Sequence, residues 1–328
     1  MCIINTDRQE GFTIPEMIHT RREFVRAMAN LAVVSMFGHS TALAATAPAK
    51  ALHIASNQYP WFTFFQREGR NWSADLDTSL REFTQSGITG YEPLIESAKD
   101  ISALTPLLKK YSLQSRSLYV NSVLHKPEET ERSISQVLAV AEAARPLGLQ
   151  IIVTNPSPIR WGGPEDKDDK QLEVQAMALG KLGKELGKRG ITLAYHTHDI
   201  EMRNAAREFH HMMLHTDPKD VSLCLDAHWI YRGSGNSQVA LFDIVRLYGK
   251  RISELHLRQS QGGIWTEVFE EGDIDYKMLA AVLQELKLRP HLVLEQAVEK
   301  GSPNTLNAID AHRKSLTYAS SVFASFEK

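Results

Sequence analysis

The chain has 328 residues, of which 37 are Lys or Arg and 39 are Asp or Glu, for a formal net charge of −2. Hydrophobic residues make up 43% and charged residues 23%, the balance of an ordinary globular protein able to bury a large core. Near-neutral charge excludes nucleic acid as the main partner, because phosphate binding needs a basic surplus, and two cysteines exclude a disulfide framework.

The N-terminal region reads as an address. Thr20-Arg21-Arg22-Glu23-Phe24 supplies a basic region, residues 27–37 an apolar stretch too short to span a bilayer, and Ala42-Leu43-Ala44 a small-residue cleavage pattern. Paired arginines ahead of Glu-Phe resemble the twin-arginine export signal. This reading divides the chain into a leader, residues 1–44, and a mature domain, residues 45–328, with Met17 as an alternative start. It implies a periplasmic location, passage through the twin-arginine translocase and no stable membrane insertion. Cys2 leaves with the leader, and Cys224, in an apolar strand pattern, is expected as a small buried hydrophobe.

From residue 52 onward, short β-rich runs alternate with helical patterns. Strands are predicted at 52–56, 90–93, 113–120, 150–154, 191–198, 221–226, 251–257 and 291–295. Amphipathic helices are predicted at 76–85, 127–147, 168–188, 238–248 and 276–286, and Leu147-Gly148 and Lys188-Arg189-Gly190 read as helix ends. Such alternation implies parallel βαβ units, and eight of them fit a single-domain α/β fold, a (β/α)8 barrel, better than an open doubly wound sheet. No GxGxxG follows a strand and no GxxxxGK[ST] occurs, so the common nucleotide loops are absent. Gly162-Gly163 and Gly262-Gly263 fall in loops and carry no signal by themselves.

In a barrel of this kind the chemistry gathers where strands end. The fifth strand ends in His196-Thr197-His198, whose two imidazoles point the same way by two-residue alternation. The sixth ends in Asp226-Ala227-His228, the seventh in Glu254-Leu255-His256-Leu257-Arg258, and the eighth in Glu295. One His or carboxylate from each of these neighbouring ends could converge on a single divalent cation, and burying such groups unpaired would be costly. Plainer roles compete. A lone histidine there more often completes a hydrogen bond or touches substrate than ligates, and Asp226 also fits a helix N-cap. Glu254 is expected to face the helices, and His210-His211 to be surface and core.

The strand-end series, with Asp226-Ala227-His228-Trp229, Leu255-His256-Leu257, Leu292-Val293-Leu294-Glu295 and the turn Gly272-Asp273-Ile274-Asp275, resembles the xylose isomerase-like TIM barrels. That superfamily includes sugar isomerases, epimerases, inosose dehydratases and endonuclease-type barrels. The resemblance covers residues 51–320 and implies a divalent metal held by Asp226, His256 and Glu295 together with the strand-five residue. That residue is His196 here, where the family usually has Glu, and Arg258-Gln259 replaces the usual Lys-Asp. A set of two histidines and two carboxylates favours Mn, Zn, Co or Fe over Mg.

The resemblance further implies a metal-dependent sugar isomerase or epimerase that moves a proton next to a carbonyl of an unphosphorylated or keto-sugar substrate. Glu295 is then the base, and His198 or His228 the acid or a substrate contact. The same site would serve a lyase or dehydratase of a keto-sugar or cyclitol, and a non-catalytic carbohydrate-binding barrel is the third reading. Sugar contacts are expected from Asn57, Trp61, Glu92 and Trp161, although both tryptophans equally fit loop packing. Arg258, suited to a polar or anionic group, and Trp265 are expected on the strand-seven loop. The expected partner is a small-molecule carbohydrate, and self-association into a homo-oligomer is left open.

Overall fold

Eight short strands make the wall of the molecule: β1 (Ile54–Asn57), β2 (Gly90–Glu92), β3 (Ser117–Tyr119), β4 (Ile151–Thr154), β5 (Thr192–Tyr195), β6 (Val221–Asp226), β7 (Ile252–Leu257) and β8 (His291–Leu294). The structure, a computed structural model, describes residues 52–327. The expected export signal and cleavage pattern lie outside those residues. All strand pairs are parallel, in the order β2-β1-β8-β7-β6-β5-β4-β3. The two end strands meet through isolated bridges, Gly90 with Gln114 and Leu94 with Tyr119, so the sheet curls into a nearly closed (β/α)8 barrel.

Helices follow the strands: α1 (Gln58–Arg67), α2 (Leu76–Gln85), α3 (Ala98–Lys110), α4 (Pro127–Ala144), α5 (Asp169–Gly187), α6 (Arg203–His215), α7 (Ala227–Gly233), α8 (Gln238–Tyr248), α9 (Tyr276–Glu285) and α10 (Ala308–Val322). Short polar side chains start most of them. Asp75, Ser237, Asp275 and Asn307 each accept a backbone N–H of the first turn, and Asp168 with Gln171 forms a reciprocal capping box.

Strand alternation sorts the side chains. Leu118, Ile152, Leu193, Leu223, Leu255 and Leu292 belong to the large buried core formed with the helices. Tyr119, Ile151, Val153, Ala194 and Cys224 form a separate small buried cluster. Cys224 is thus buried as expected. Three differences from the sequence pattern matter for the site. The third strand is shorter than predicted: only 117–119 ladder, and Gln114 joins β2 through an isolated bridge. The fifth ends at Tyr195, which puts His196 and His198 on its exit. No loop follows β1: Asn57 caps α1 directly, accepting the Tyr59 N–H at 2.7 Å.

After β7 a hairpin pairs Ser260–Gln261 with Ile264–Trp265. Its turn residues, Gly262 and Gly263, have φ of 61° and 80°, the conformation that two-residue hairpins need. Asp273 ties this hairpin down by accepting from Ser260 Oγ and from both glycine N–H groups. Gly272 beside it leaves no room for a Cβ against the Ser260 carbonyl.

Candidate metal centre and active site

Four strand exits bring His196, Asp226, His256 and Glu295 together. Each offers one ligand atom, and the four atoms all lie within 4.8 Å of one another. Sheet register explains the meeting: Asp226 and Val293 both pair with His256, and the Glu295 N–H donates to Leu257 O at 2.9 Å. His196 Nε2 lies 3.6 Å from Asp226 Oδ2, and His256 Nδ1 lies 3.3 Å from Glu295 Oε2. Three of these atoms, His196 Nε2, Asp226 Oδ2 and His256 Nδ1, are buried without a hydrogen-bond partner, and Glu295 Oε2 is ion-paired with Arg258. Buried polar atoms are normally satisfied, so three orphans converging beside a carboxylate oxygen mark a place for a cation.

The remaining atoms of the same side chains are held. Tyr119 Oη meets His196 Nδ1 at 3.2 Å. Asp226 Oδ1 accepts the Trp229 N–H at 2.8 Å, so Asp226 is both the N-cap of α7 and a candidate ligand. His256 Nε2 faces Glu254 at 3.0 Å and Glu92 at 3.3 Å. Outer partners of this kind fix ring orientation and tautomer in metal sites. The donor set fits a divalent ion: two imidazoles and two carboxylates, with Arg258 Nη2 2.8 Å from Glu295 Oε2. Burial would raise Asp226, yet Arg258 and His196 beside it hold its carboxyl well below the usual range.

Glu254 does not face the helices. It has the same strand parity as His256, is fully buried, and points inward with it. Burial and the neighbouring charge of Glu92 push its carboxyl upward. Burial acts the same way on Glu92, but His256 and donors from Glu254 and Ser117 outweigh it and pull Glu92 down. Glu92 also accepts from Asn57 Nδ2 at 2.5 Å and Ser117 Oγ at 2.7 Å. The protonated partner is therefore Glu254, and the pair sits against the far side of His256.

Above the four residues opens a cavity of about 650 Å³. Asn57, Trp161, His198, Arg258 and Glu295 line it. His198 is kept neutral by burial and by His196, its ring 4.9 Å away. Its Nδ1 has no partner. Glu201 braces this exit, accepting the His198 N–H at 2.7 Å and the Asn155 amide at 3.2 Å. Arg258 is fully buried, donates to the Glu295 carbonyl at 2.8 Å, and leaves Nη1 free.

Four of the expected catalytic and sugar-contact residues are not among those lining the cavity. Trp61 is fully buried on the helix side, its ring 4.1 Å from His312 and 5.0 Å from Phe83, with Nε1 donating to Ser56 Oγ. It is core packing. Glu92 lies in the barrel interior below the ligands. His228 is buried on α7 against Tyr231 and Trp265, with both ring nitrogens unpartnered, and burial lowers it to about 3. Trp265 is buried on the hairpin, 4.3 Å under the Arg258 guanidinium. It supports Arg258 from behind.

Sequence reasoning missed Tyr119 and Trp229, which both line the cavity. Trp229 lies 5.3 Å from His198 and 5.0 Å from the Arg258 guanidinium. Inward parity on the third strand marks Tyr119. No comparable signal marks Trp229, because the turn of a short helix after its cap decides which residue faces inward.

The sequence profile described as "Xylose isomerase-like TIM barrel" matches residues 42–318. An inosose dehydratase from Clostridium beijerinckii is 26% identical over 208 residues, 60% of this chain and 67% of the relative. Among solved structures, a D-allulose 3-epimerase from Methylomonas sp. superposes with a TM-score of 0.63 at 14% identity, covering 83% of this chain and 97% of that one. A xylose isomerase-like TIM barrel protein from Mycobacterium smegmatis, in complex with magnesium, gives 0.64 at 14% identity, covering 86% and 100%. At these identities the solved structures speak for the fold. The profile match spans most of the sequence, and the chain belongs to the xylose isomerase-like TIM barrel family.

Proposed function

We propose that this protein is a metal-dependent lyase that dehydrates a keto-sugar or keto-cyclitol. One observation carries the choice of reaction: among the described residues, Glu295 is the one buried carboxylate lining the cavity, and the strand-five position of the ligand cluster holds His196. The other carboxylates lining the cavity, Glu96 and Asp199, are exposed. A symmetrical pair of glutamates, one on each face of the substrate carbon, is not built here.

His196, Asp226, His256 and Glu295 are the residues that would hold the metal. When bound, a divalent ion supplies Lewis acidity toward a substrate carbonyl oxygen. Two imidazoles among four donors suit Mn, Zn, Co or Fe over Mg. Glu295, ion-paired with Arg258 Nη2 at 2.8 Å, takes the proton from the carbon next to the carbonyl. The hydroxyl of the following carbon departs as the double bond forms. The proton taken and the hydroxyl released together make the water lost. Neutral His198 carries the proton between them or holds the departing oxygen. The free Nη1 of Arg258 donates to a substrate oxygen beside Glu295.

The 26% identical inosose dehydratase supports the lyase reading. Epimerisation is the second reading, favoured by two different proton-carrying groups, Glu295 and His198, at one cavity. A periplasmic site of action, suggested by residues 20–44, goes with an unphosphorylated substrate. The test is turnover of a keto-inositol and of keto-hexoses by the manganese-loaded protein in deuterated water. A product lighter by one water supports the lyase; a product that keeps all its atoms but has one carbon-bound hydrogen replaced by deuterium supports epimerisation. Metal-loaded protein that binds sugar without either change, and without any effect of Glu295→Gln, leaves the carbohydrate-binding barrel.

A further inference from the structure

We propose that the cavity mouth is a subsite for an aryl group, so that the substrate is a sugar carrying an aromatic ring on its glycosidic oxygen. The proposal rests on the sugar-site reading above and names the class of substrate within it.

The first observation is the placement of aromatic side chains. Among the described residues, the exposed aromatics are Tyr59, Phe62 and Trp161, at 43%, 41% and 53% exposure, and all three line this one cavity. Every other Phe, Tyr and Trp described is buried or half-buried. Leu94, exposed at 39%, lines the same mouth. Large apolar groups left in water around one concavity mark a binding surface rather than chance scatter.

The second observation is their layout. Tyr59 and Phe62 come from α1 and Leu94 follows β2, whereas Trp161 comes from the loop after β4. These elements stand on different parts of the barrel rim, with β3 between β2 and β4 around the closed sheet. A flat ring therefore has apolar neighbours from separate segments. The polar floor, Asn57, His198, Arg258 and Glu295, belongs to the same cavity. Trp161 joins the two levels, because its ring packs edge-on to His198 with centroids 5.0 Å apart and planes at 83°.

Volume agrees. A cavity of about 650 Å³ has room for roughly twenty waters at about 30 Å³ each. A hexose has about a dozen non-hydrogen atoms, each filling less than a water's share, so it leaves more than half of that space unfilled. The remainder suits one further ring, and the total lies in the range of about 300–1,000 Å³ typical of small-molecule sites.

The test is calorimetric titration of the manganese-loaded protein with phenyl β-glucoside, methyl β-glucoside and a β-linked glucose disaccharide. Wild type is expected to bind the phenyl compound about tenfold more tightly than the methyl one. Trp161→Ala and Phe62→Ala should each cut that ratio by about two- to tenfold, the range of a single aromatic contact. Metal content and melting temperature, read on the same samples, establish that the exposed substitutions leave the fold intact. A ratio near one in wild type, or a ratio unmoved by both substitutions, overturns the subsite. Tighter binding of the disaccharide than of the phenyl compound overturns the aryl assignment in favour of a second sugar ring. If no glycoside binds while a free keto-sugar or keto-cyclitol is turned over, the subsite falls and the sugar-site reading stands. If none of these compounds binds or reacts, both fall.

Discussion

Asp226 does two jobs with two oxygens, and substitutions can separate them. Oδ1 caps α7 through the Trp229 N–H at 2.8 Å, and Oδ2 faces His196 Nε2 at 3.6 Å without a hydrogen bond. Asp226→Asn keeps the capping acceptor and removes the charged ligand atom. Asp226→Ala removes both. Loss of an N-cap costs about 1 kcal/mol, which in a chain of this size lowers the melting temperature by about 2–4 °C. A metal at a hundred times its Kd stabilises the native state by about 2.7 kcal/mol, or roughly 5–10 °C on the same scale. In EDTA, therefore, Asp226→Asn should melt close to wild type and Asp226→Ala a few degrees lower. With saturating manganese, wild type should gain the full increment and both variants little of it. Differential scanning calorimetry of the three proteins, with chelator and with metal, reads all six values. An Asp226→Asn protein that gains as much from manganese as wild type does would falsify the ligand assignment.

Three further outcomes are expected. Glu254→Leu, which removes the oxygen facing the far side of His256, should weaken manganese binding about 10–100-fold; competition against a chelating dye measures this, and an unchanged constant refutes the bracing role. Trp61→Ala should cost about 3–5 kcal/mol in urea unfolding while KM for the substrate stays within about twofold, since Trp61 packs on His312 and Phe83 away from the cavity; a raised KM in a protein of normal stability would return it to the site. Burial lowers His312 to about 4, against about 6.5 when unfolded, so between those values only the unfolded chain binds the proton. Its share of stability is thus present above pH 6.5 and lost as pH falls toward 4, by up to about 3 kcal/mol; the slope of unfolding free energy over this interval should flatten in His312→Gln, and an identical slope would exclude the effect.

Strand-end chemistry was legible because a strand's period is two. Once 221–226, 251–257 and 291–295 read as parallel strands, Asp226, His256 and Glu295 fall at neighbouring exits, and the structure brings them within ligand distance. The same rule, applied strictly, would have turned Glu254 inward with His256 and brought Tyr119 into the site. Helical segments at the exits were harder. Asn57 starts a helix directly at the strand end, where the sequence suggested a loop, and Trp61, read as a sugar contact or loop packing, points into the core. After Asp226 the question was which of His228 and Trp229 turns toward the cavity. Adjacent helical residues differ by about 100° in direction, and only packing of α7 decides that it is Trp229.

Closure of the barrel is uneven. Seven joints are laddered runs, but β2 and β3 meet through separate bridges and a few backbone bonds, such as Tyr91 N–H to Gln114 O and Ile95 N–H to Tyr119 O. A joint with few cooperative bonds opens locally at lower free energy than one with many. The amides of Tyr91, Ile95 and Tyr119 should therefore exchange with solvent ahead of those in β6 and β7. Tyr119 stands on that joint while its hydroxyl holds His196, so breathing of the seam and orientation of that candidate ligand's imidazole are mechanically one event.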